Sequence, residues 1–329
     1  MRVRWRGFQS PLADEIARFL AYKRALARRY HTEERMLRLF DRYLVEHEVT
    51  ERAAITPVLL EAFLGGRPRH HPRSYNHLLG VLRRLFDWLV RQGVLDRSPL
   101  LATARRETAR RIPYLFDAVQ ARRLLELAGR LPDQPRAPRR GPTYRTIFAL
   151  LYGLGLRVGE VSRLTRADVD LERQLLVVRG TKFGKSRLVP FGPRMATLLR
   201  DYLALRPPGS AATEPMAPLF SFTRRGPIHP GTISQTFHHL LPRLALPQPP
   251  GVAPPRAHDL RHAFAVGTLL RWYRTGVDPA GRLFHLATFL GHVSPSSTAV
   301  YLTITAELLR EANRRFEGFA AAVLPEVAS

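Results

Sequence analysis

A polar, basic segment divides the sequence into two parts with different patterns. The segment TARRETARRIP, residues 103–113, has no apolar periodicity and ends in a proline. Residues 11–101 before it carry helical patterns alone, whereas strand patterns appear only after it. An exposed, polar segment of this kind is typical of a linker between domains. The sequence therefore predicts a first domain over residues 1–102, a linker over 103–113 and a second domain over 114–329.

The sequence pattern of residues 1–102 predicts an all-helical domain. In SYNHLLGVLRRLFDWLVRQG, leucines recur at helical spacing from Leu78 to Leu89. Ser74 is a candidate for the residue that caps this helix at its start, and Gly93 for the residue that ends it. A shorter helix begins near Ile55, with a proline that is tolerated in its first turn.

The second part mixes helices with one hairpin. In QLLVVRGTKFGKSRLVPF, two short β runs flank a turn rich in glycine and lysine. Helical patterns precede the hairpin and return over 258–273, 283–290, 296–303 and 306–320. The predicted fold class is mainly α with a small antiparallel β-sheet, in two domains, the first helical and the second α+β.

The charge of the chain indicates a polyanionic partner. The sequence has 52 Lys+Arg and 27 Asp+Glu, a net charge of +25, and both predicted domains are basic. Such a balance suits nucleic acid or an anionic membrane surface. No long basic amphipathic helix supports the membrane alternative. Nucleic acid is therefore the class of partner that the charge favours.

The composition also excludes several kinds of site. Without cysteine, the chain has no disulfides, thiolate metal sites or cysteine nucleophiles. The N-terminus lacks the apolar region of a signal peptide, and the longest apolar run, IFALLYGLGL, is too short to span a bilayer. We predict a soluble cytoplasmic protein, associated with the nucleoid when it is bound to DNA.

Four short stretches concentrate the residues that could do chemistry. They are GLGLRVGE with Arg157, RGTKFGKSR with Lys182 and Lys185, HDLRHAFA with His258, Arg261 and His262, and GHVSPSSTAVYLT with His292 and Tyr301. The spacing of the third stretch places its two histidines and its arginine on one helical face.

Each stretch taken alone also has an ordinary structural interpretation. Arg157 could form a surface ion pair, the lysines could be turn residues, and Tyr301 could be a core tyrosine. The two histidines of HDLRH suggest zinc, but the zincin signature requires glutamate where Asp259 stands, and no third ligand is evident. We predict no metal site.

Together the stretches fit attack on a DNA phosphodiester. Two arginines could neutralise the charge that grows on the non-bridging oxygens in the transition state. Tyrosine is a weak nucleophile because its pKa is near 10, but neighbouring cations favour the phenolate and a histidine could accept its proton. A lysine could protonate the leaving 5′ oxygen. Such a site needs no metal and no other cofactor.

These residues resemble the signature of the tyrosine recombinase, or phage integrase, family. The resemblance rests on Arg157 in GLRVGE, Lys182 on the hairpin, HDLRH, LGH at 290–292 and Tyr301, in the order and with the nine-residue step from His292 that the family shows. It covers most of residues 113–310. The helical first part resembles the family's core-binding domain more loosely.

The resemblance implies a role for each residue. Tyr301 would attack the phosphate and form a 3′-phosphotyrosyl link, which releases a 5′-hydroxyl. Arg157 and Arg261 would bind the phosphate. His258 would be the general base and Lys182 the general acid. His292 would donate a hydrogen bond to the phosphate or support the acid, and Glu160 would orient the site. Lys185 lies near enough to compete with Lys182 for the role of general acid.

The resemblance also implies a mode of action. The family works as a tetramer on two DNA duplexes, each protein clamping DNA between its domains, and companion recombinases or DNA-bending proteins are possible partners. The predicted DNA contacts are Lys185, Arg187, Arg105, Arg106, Arg110 and Arg111. The helix after Tyr301 could dock on its own domain or on a neighbouring protomer. The predicted outcome is integration, excision or transposition of a mobile element.

Two features of the sequence leave alternatives open. The interval from Arg261 to His292 is longer than in compact members, and RWYRTGVDPAGR within it is predicted to be an inserted loop. A type IB topoisomerase has similar catalytic residues, and a DNA-binding accessory protein could retain the fold with a silent site. The helical first domain favours the recombinase over the topoisomerase, and retention of every proposed catalytic residue argues against a silent site.

Overall fold

The chain forms two compact units, which the computed structural model divides between Arg110 and Arg111. The structure describes residues 7–26, 28, 30–66, 72–106, 112–180, 186–205, 214–223, 226–292, 296–299 and 301. The division falls within the segment 103–113.

The N-terminal unit is helical throughout its described residues. Its helices are α1 (Ala13–Ala25), α2 (His31–Glu46), α3 (Pro57–Gly65) and α4 (Pro72–Arg91), with one 3-10 turn at Arg52–Ala54. The longest helix, α4, buries the leucine stripe that the sequence shows, and α1, α2 and α3 pack against it. The apolar face of α4 thus forms the centre of this unit's core.

The ends of α4 test two predictions from the sequence. Gly93 ends the helix as predicted, since it has a φ of +68° and the Val94 amide reaches back to the carbonyl of Leu89. Ser74 is wrong as the N-terminal cap, because the helix already begins at Pro72. Proline fits the first turn of a helix, where its missing N–H would have no partner.

The C-terminal unit combines helices with one small sheet. Its elements are α5 (Ala118–Gly129), α6 (Arg140–Gly153), α7 (Val158–Arg163), β1 (Val169–Asp170), β2 (Leu175–Val178), β3 (Arg187–Pro190), α8 (Pro193–Ala204), α9 (Pro230–Leu244), α10 (Asp259–Arg274), α11 (Pro279–Leu290) and α12 (Ser296–Ala299). A 3-10 turn at Arg166–Asp168 precedes β1. The predicted fold class, mainly α with a small antiparallel sheet, is confirmed.

The sheet has the order β1-β2-β3, with both pairs antiparallel. Strands β2 and β3 are the predicted hairpin, and Leu176 pairs with Val189. Alternate residues face the core, so Leu176 and Val189 are buried while Leu188 is exposed. The short strand β1, which follows the acidic turn, was not predicted, because two residues carry no periodicity.

Helix α6 lies at the centre of the C-terminal unit. It is apolar around most of its circumference and packs against α5, α8 and α10. A smaller apolar cluster joins α10 and α11 with the ring of Tyr301. The helix that carries HDLRH is therefore fixed on one side by the main core and on the other by this cluster.

The predicted inserted loop is mostly helical, so that prediction is wrong. Helix α10 runs on to Arg274, and α11 begins at Pro279 after a short turn with Gly276 at a φ of +78°. The segment therefore contains the end of one helix and the start of the next. None of the helices in the described ranges combines the length and the apolar character needed to cross a membrane.

The core of the N-terminal unit is separate from that of the C-terminal unit, so we expect residues 1–110 to fold without the remainder. The isolated fragment should unfold cooperatively with temperature, as followed by circular dichroism at 222 nm, the wavelength that reports helix. Leu82→Asp, at a fully buried position of α4, should abolish the transition. Val58→Asp, at a position 75% exposed, should retain it. A gradual loss of signal in the unsubstituted fragment would contradict this expectation.

Candidate active site

Arg157 lies where the buried helix α6 gives way to α7. Its backbone amide donates to Oε2 of Glu160 at 2.9 Å, and its Nη1 donates to Oε1 of the same carboxylate at 2.7 Å. Its Nη2 donates to the carbonyl oxygen of Gly291 at 3.0 Å. Arg157 thus joins the start of α7 to the turn that follows α11.

Glu160 is a buried carboxylate shared between two arginines. Besides Arg157, it receives a two-pronged contact from Arg187, with Nη1 at 3.0 Å from Oε1 and Nη2 at 2.9 Å from Oε2. Burial raises the pKa of Glu160, but the hydrogen bonds and charge of Arg187, followed by those of Arg157, lower it to about 2. The carboxylate is therefore ionised throughout the neutral range.

Arg187 has a different place from the one that the sequence suggested. It was predicted as a DNA contact, but its side chain is only 9% exposed. Besides its pairing with Glu160, its Nε donates to the carbonyl of Phe289 at 2.8 Å. With its guanidinium engaged inside the protein, Arg187 links strand β3 to α7 and to the end of α11.

Arg261 is a buried cation held by main-chain carbonyls. It is 1% exposed, and its Nη1 and Nη2 donate to the carbonyls of Gly155 and Leu290, each at 2.6 Å. Among the described residues, no carboxylate forms an ion pair with it. Burial, followed by the charge of Arg157, lowers its pKa to about 9, so it remains charged at neutral pH. A buried cation that is held by carbonyl oxygens in this way favours the binding of an anion beside it.

Two glycines make this arrangement of arginines possible. Gly155 has a φ of +59°, and a Cβ there would lie 2.5 Å from Cδ1 of Phe264. Gly291 has a φ of +66°, and its Cβ would lie 2.8 Å from Nη1 of Arg187. Both positions therefore require glycine for conformation and for space. Their carbonyls accept from Arg261 and Arg157, respectively.

His292 follows this turn directly. Its Nδ1 lies 2.6 Å from Oγ1 of Thr298, which is fully buried, and its ring lies nearly parallel to that of Tyr301 with the centroids 6.2 Å apart. Burial, followed by the charges of Arg261 and Arg157, lowers the pKa of His292 to about 4. The imidazole is consequently neutral at neutral pH. One of its nitrogens then donates a hydrogen bond and the other accepts one.

Tyr301 lies in this site and is 3% exposed. Its hydroxyl is 3.0 Å from Nδ1 of His262. Burial raises the pKa of Tyr301, and the charges of Arg261 and Arg157 act in the opposite direction. The structure thus brings the tyrosine to both arginines and to the histidines.

His258 stands one helical turn before His262, at the start of α10. The two rings meet edge to face with their centroids 4.8 Å apart. Burial, followed by the charges of His262 and Arg261, lowers the pKa of His258 to about 4. Both nitrogens of a neutral imidazole remain usable, one as a donor and one as an acceptor.

The structure therefore groups most, but not all, of the predicted site. Arg157, Glu160, His258, Arg261, His292 and Tyr301 come together. Lys182, Lys185, Arg110, Arg111 and the helix predicted after Tyr301 lie outside the described residues. Arg105 and Arg106 are exposed, and the Arg105 guanidinium lies 4.0 Å from the centroid of the Tyr75 ring.

Sequence reasoning assigned no role to His262, Thr298 or the two glycines. The HxxxH spacing placed His262 on the face of His258, but it could not show that Tyr301 lies against that face. Thr298 and Gly291 became recognisable only through their contacts with His292 and Arg187.

Glu160→Gln should destabilise the C-terminal unit, because it removes the buried negative charge that the guanidiniums of Arg157 and Arg187 share. Loss of one partner from a buried ion pair costs about 3–5 kcal/mol. Urea denaturation followed by circular dichroism would measure the change. The matched control is Asp170→Asn. The ion pair of Asp170 with Arg173 is exposed, so its loss should change the free energy of unfolding by less than about 1 kcal/mol. Equal effects of the two substitutions would contradict this expectation.

Stability should fall as the pH is lowered from 6.5 towards 4. His258 and His292 take up protons near pH 4 in the folded chain, against 6.5 for an unperturbed histidine, so the unfolded chain binds more protons in this interval. The pKa of Glu160 is about 2 in the folded chain, against 4.5 for an unperturbed glutamate. The stability that its ionised form contributes is therefore lost only below pH 4.5. The free energy of unfolding, measured at about pH 7 and about pH 5, should therefore decrease on acidification.

Replacing both histidines by asparagine should reduce this decrease, because neither position then takes up a proton. His285→Asn, on the exposed side of α11, should leave the decrease unchanged. An undiminished pH dependence in the double variant would show that other groups cause it.

Comparisons with known proteins agree with this geometry. The model of the Phage integrase family matches residues 117–307, more than half of the chain. A protein of Sinorhizobium fredii, named "Putative integrase/recombinase y4rB", is 35% identical over 94% of this chain and 98% of its own length. The tyrosine recombinase XerC of Mesorhizobium japonicum is 30% identical over 84% of this chain and 85% of its own length.

Solved structures show the same fold at low sequence identity. The Tn1549 transposon integrase, in complex with transposon right-end DNA, has a TM-score of 0.62 at 16% identity and covers 93% of this chain and 99% of its own. The XerH recombinase, bound to a palindromic difH substrate, has a TM-score of 0.62 at 18% identity and covers 86% and 78%. With the site built from Arg157, Arg261, His292 and Tyr301, these matches show that the chain belongs to the phage integrase family of tyrosine recombinases.

Proposed function

We propose that this protein is a site-specific DNA recombinase that cleaves and rejoins DNA through a 3′-phosphotyrosyl intermediate. One observation carries the proposal. Arg261 and Arg157 are fixed by consecutive carbonyls, those of Leu290 and Gly291, beside the Tyr301 ring. A buried pair of guanidiniums next to a phenol is suited to a phosphodiester, which supplies the anion and the atom to be attacked.

The chemistry follows from these positions. The Tyr301 oxygen attacks phosphorus and forms the phosphotyrosyl bond, while the bond from phosphorus to the 5′ oxygen breaks. Arg157 and Arg261 stabilise the charge on the non-bridging oxygens. The leaving 5′ oxygen takes a proton from the general acid, for which Lys182 is our candidate from the sequence. Attack of a 5′-hydroxyl on the phosphotyrosine reverses the step, so no ATP is required.

The neutral histidines suit the same site. His292, held by Thr298 through Nδ1, has its other ring nitrogen for a hydrogen bond to phosphate or to the acid. His258 keeps the role of general base that the family resemblance implies. Because both pKa values are lowered, neither histidine adds a charge at neutral pH to those of the two arginines.

Double-stranded DNA is the partner that the net charge of +25 and the family favour. Assembly as a tetramer on two DNA sites, with companion recombinases or DNA-bending proteins, would allow strand exchange. The relatives named integrase and the transposon integrase with the same fold favour integration, excision or transposition of a mobile element as the outcome. The N-terminal unit is proposed as the core-binding domain.

A covalent-adduct experiment tests the proposal. Wild type and Tyr301→Phe are incubated, in the presence of EDTA, with nicked duplexes that cover the DNA flanking the gene, and a denaturing gel then reports protein that carries DNA. Wild type should form an adduct and locate the cleaved phosphate. Tyr301→Phe should form none, because it lacks the attacking oxygen.

Adducts with both proteins would identify another nucleophile, and absence of an adduct with wild type would overturn the proposal. The control substitution is Tyr22→Phe, at a position of α1 that is 45% exposed, which should leave adduct formation intact. Relaxation of a plasmid that lacks the located site would instead support the topoisomerase alternative.

A further inference from the structure

We infer that Thr298 is a positioning residue whose hydroxyl donates to Nδ1 of His292 and thereby places the single proton of that imidazole on Nε2, for donation to the phosphate. The inference rests on the proposed function and decides between the two roles that it leaves open for His292. It starts from the contact between Oγ1 of Thr298 and Nδ1 of His292, which are 2.6 Å apart.

The two open roles of His292 require different tautomers. The pKa of His292, lowered to about 4 by burial and then by nearby arginine charges, keeps the ring neutral at neutral pH, with one proton. A phosphate oxygen only accepts, so a hydrogen bond to it requires that proton on Nε2. An ammonium group only donates, so support of a protonated Lys182 requires the proton on Nδ1. The hydrogen bond made at Nδ1 therefore selects the role.

The surroundings of the Thr298 hydroxyl decide the direction of this hydrogen bond. Thr298 is fully buried, so water does not reach its hydroxyl. Within the described ranges of the chain, the hydroxyl has Nδ1 of His292 as its partner. A hydroxyl that accepted from this nitrogen would bury its own hydrogen without an acceptor, which is costly. Donation to Nδ1 satisfies that hydrogen, so Nδ1 accepts and Nε2 carries the proton of the ring.

The position of His292 suits an Nε2–H group directed at an anion. His292 follows Gly291, whose carbonyl accepts from Arg157, and its ring lies nearly parallel to that of Tyr301. The charges of Arg157 and Arg261 attract an anion to this region. A neutral imidazole with its proton on Nε2 adds one further donor for the phosphate oxygens without adding another positive charge.

Thr298 also connects this donor to the nucleophile. It lies on α12, three residues before Tyr301, and its hydrogen bond ties that helix to the residue that follows the turn after α11. Thr298 needs no contact with DNA in this arrangement. Its effect on the rate therefore passes through His292.

Nitrogen NMR of the full chain, labelled with ¹⁵N-histidine, tests the tautomer without DNA. Long-range proton–nitrogen spectra distinguish rings protonated on Nε2 from rings protonated on Nδ1, and His292→Asn identifies the signals of His292. At neutral pH, wild type should carry its proton on Nε2. In Thr298→Val, which keeps the side-chain shape without the hydroxyl, the Nδ1 signal should move to the higher frequency of a nitrogen that accepts no hydrogen bond. Thr298→Ser should return the signal towards its wild-type position.

Single-turnover adduct formation on the duplex located by the adduct experiment tests the consequence for the rate. Thr298→Val should react about tenfold more slowly, because a neutral hydrogen bond is worth about one factor of ten, and Thr298→Ser should recover most of the loss. In a His292→Ala background, the valine substitution should cause no further loss. The matched control is Thr197→Val, at an exposed threonine of α8 whose hydroxyl donates to the carbonyl of Pro193 at 3.1 Å, and it should react at the wild-type rate.

A second substrate separates the phosphate from the acid. Sulphur in place of the bridging 5′ oxygen gives a leaving group that needs no proton. The defect of Thr298→Val should persist on this substrate, because the phosphate oxygens still lack a donor held in place. The defect of Lys182→Ala should largely disappear, because that variant lacks only the acid.

Four results would overturn the inference. The first two are a wild-type His292 protonated on Nδ1 and an Nδ1 signal that is unchanged in Thr298→Val. The third is rescue of Thr298→Val by the sulphur substrate, which would place His292 with the acid. The fourth is an equal loss of rate from the valine substitution with and without His292, which would show a structural effect alone.

Two controls separate these results from other failures. Thermal unfolding of each protein checks the fold, and Thr298→Ala serves as the second variant if the valine variant unfolds. Adduct formation by Tyr301→Phe would overturn the proposed function itself, whereas the tautomer of His292 is measured in the absence of DNA.

Discussion

The sharing of Glu160 between Arg157 and Arg187 is the interaction on which the rest of the site depends. Three positively charged side chains, including Arg261, approach one another in a largely buried region, where repulsion between like charges is strong. One carboxylate offsets two of these charges and joins α7 to β3. The third charge is met by carbonyl oxygens, which solvate a guanidinium without neutralising it.

This distribution of charge leaves the site prepared for an anion. Arg261 is held in place before any ligand binds, so its orientation does not have to be gained during the reaction. Burial, followed by neighbouring positive charges that include Arg261, lowers the pKa values of His258 and His292 and keeps both rings neutral at neutral pH. A phosphate would lessen the repulsion among the cations. Binding and preparation for chemistry are therefore consequences of one electrostatic arrangement.

The turn after α11 brings these parts together. Within four residues, the carbonyls of Phe289, Leu290 and Gly291 accept from three different arginines, and His292 follows at once. The left-handed conformation of Gly291 permits this turn, and its lack of a side chain admits Arg187. A site built on main-chain carbonyls is sensitive to backbone position, and the apolar cluster that α10 and α11 form with Tyr301 helps to fix that position.

Much of the fold could be predicted from the sequence because its signals are local. The leucine stripe of α4, the ending of that helix at Gly93 and the pairing of β2 with β3 follow from periodicity and turn chemistry. The inserted loop was predicted wrongly because RWYRTGVDPAGR contains glycine and proline, which favour a loop locally. Packing of α10 and α11 on a shared apolar cluster made most of that segment helical instead.

The sequence by itself determined the chemical inventory of the site: an excess of arginine, no cysteine, and the ordered set of Arg157, His258, Arg261, His292 and Tyr301. Only the tertiary structure decided which of these groups touch. Arg187, which the sequence presented as one basic residue among many, is buried against Glu160, and His262 meets the Tyr301 hydroxyl across 39 residues of chain. Such contacts join positions far apart in sequence, so they depend on how helices pack rather than on any local pattern.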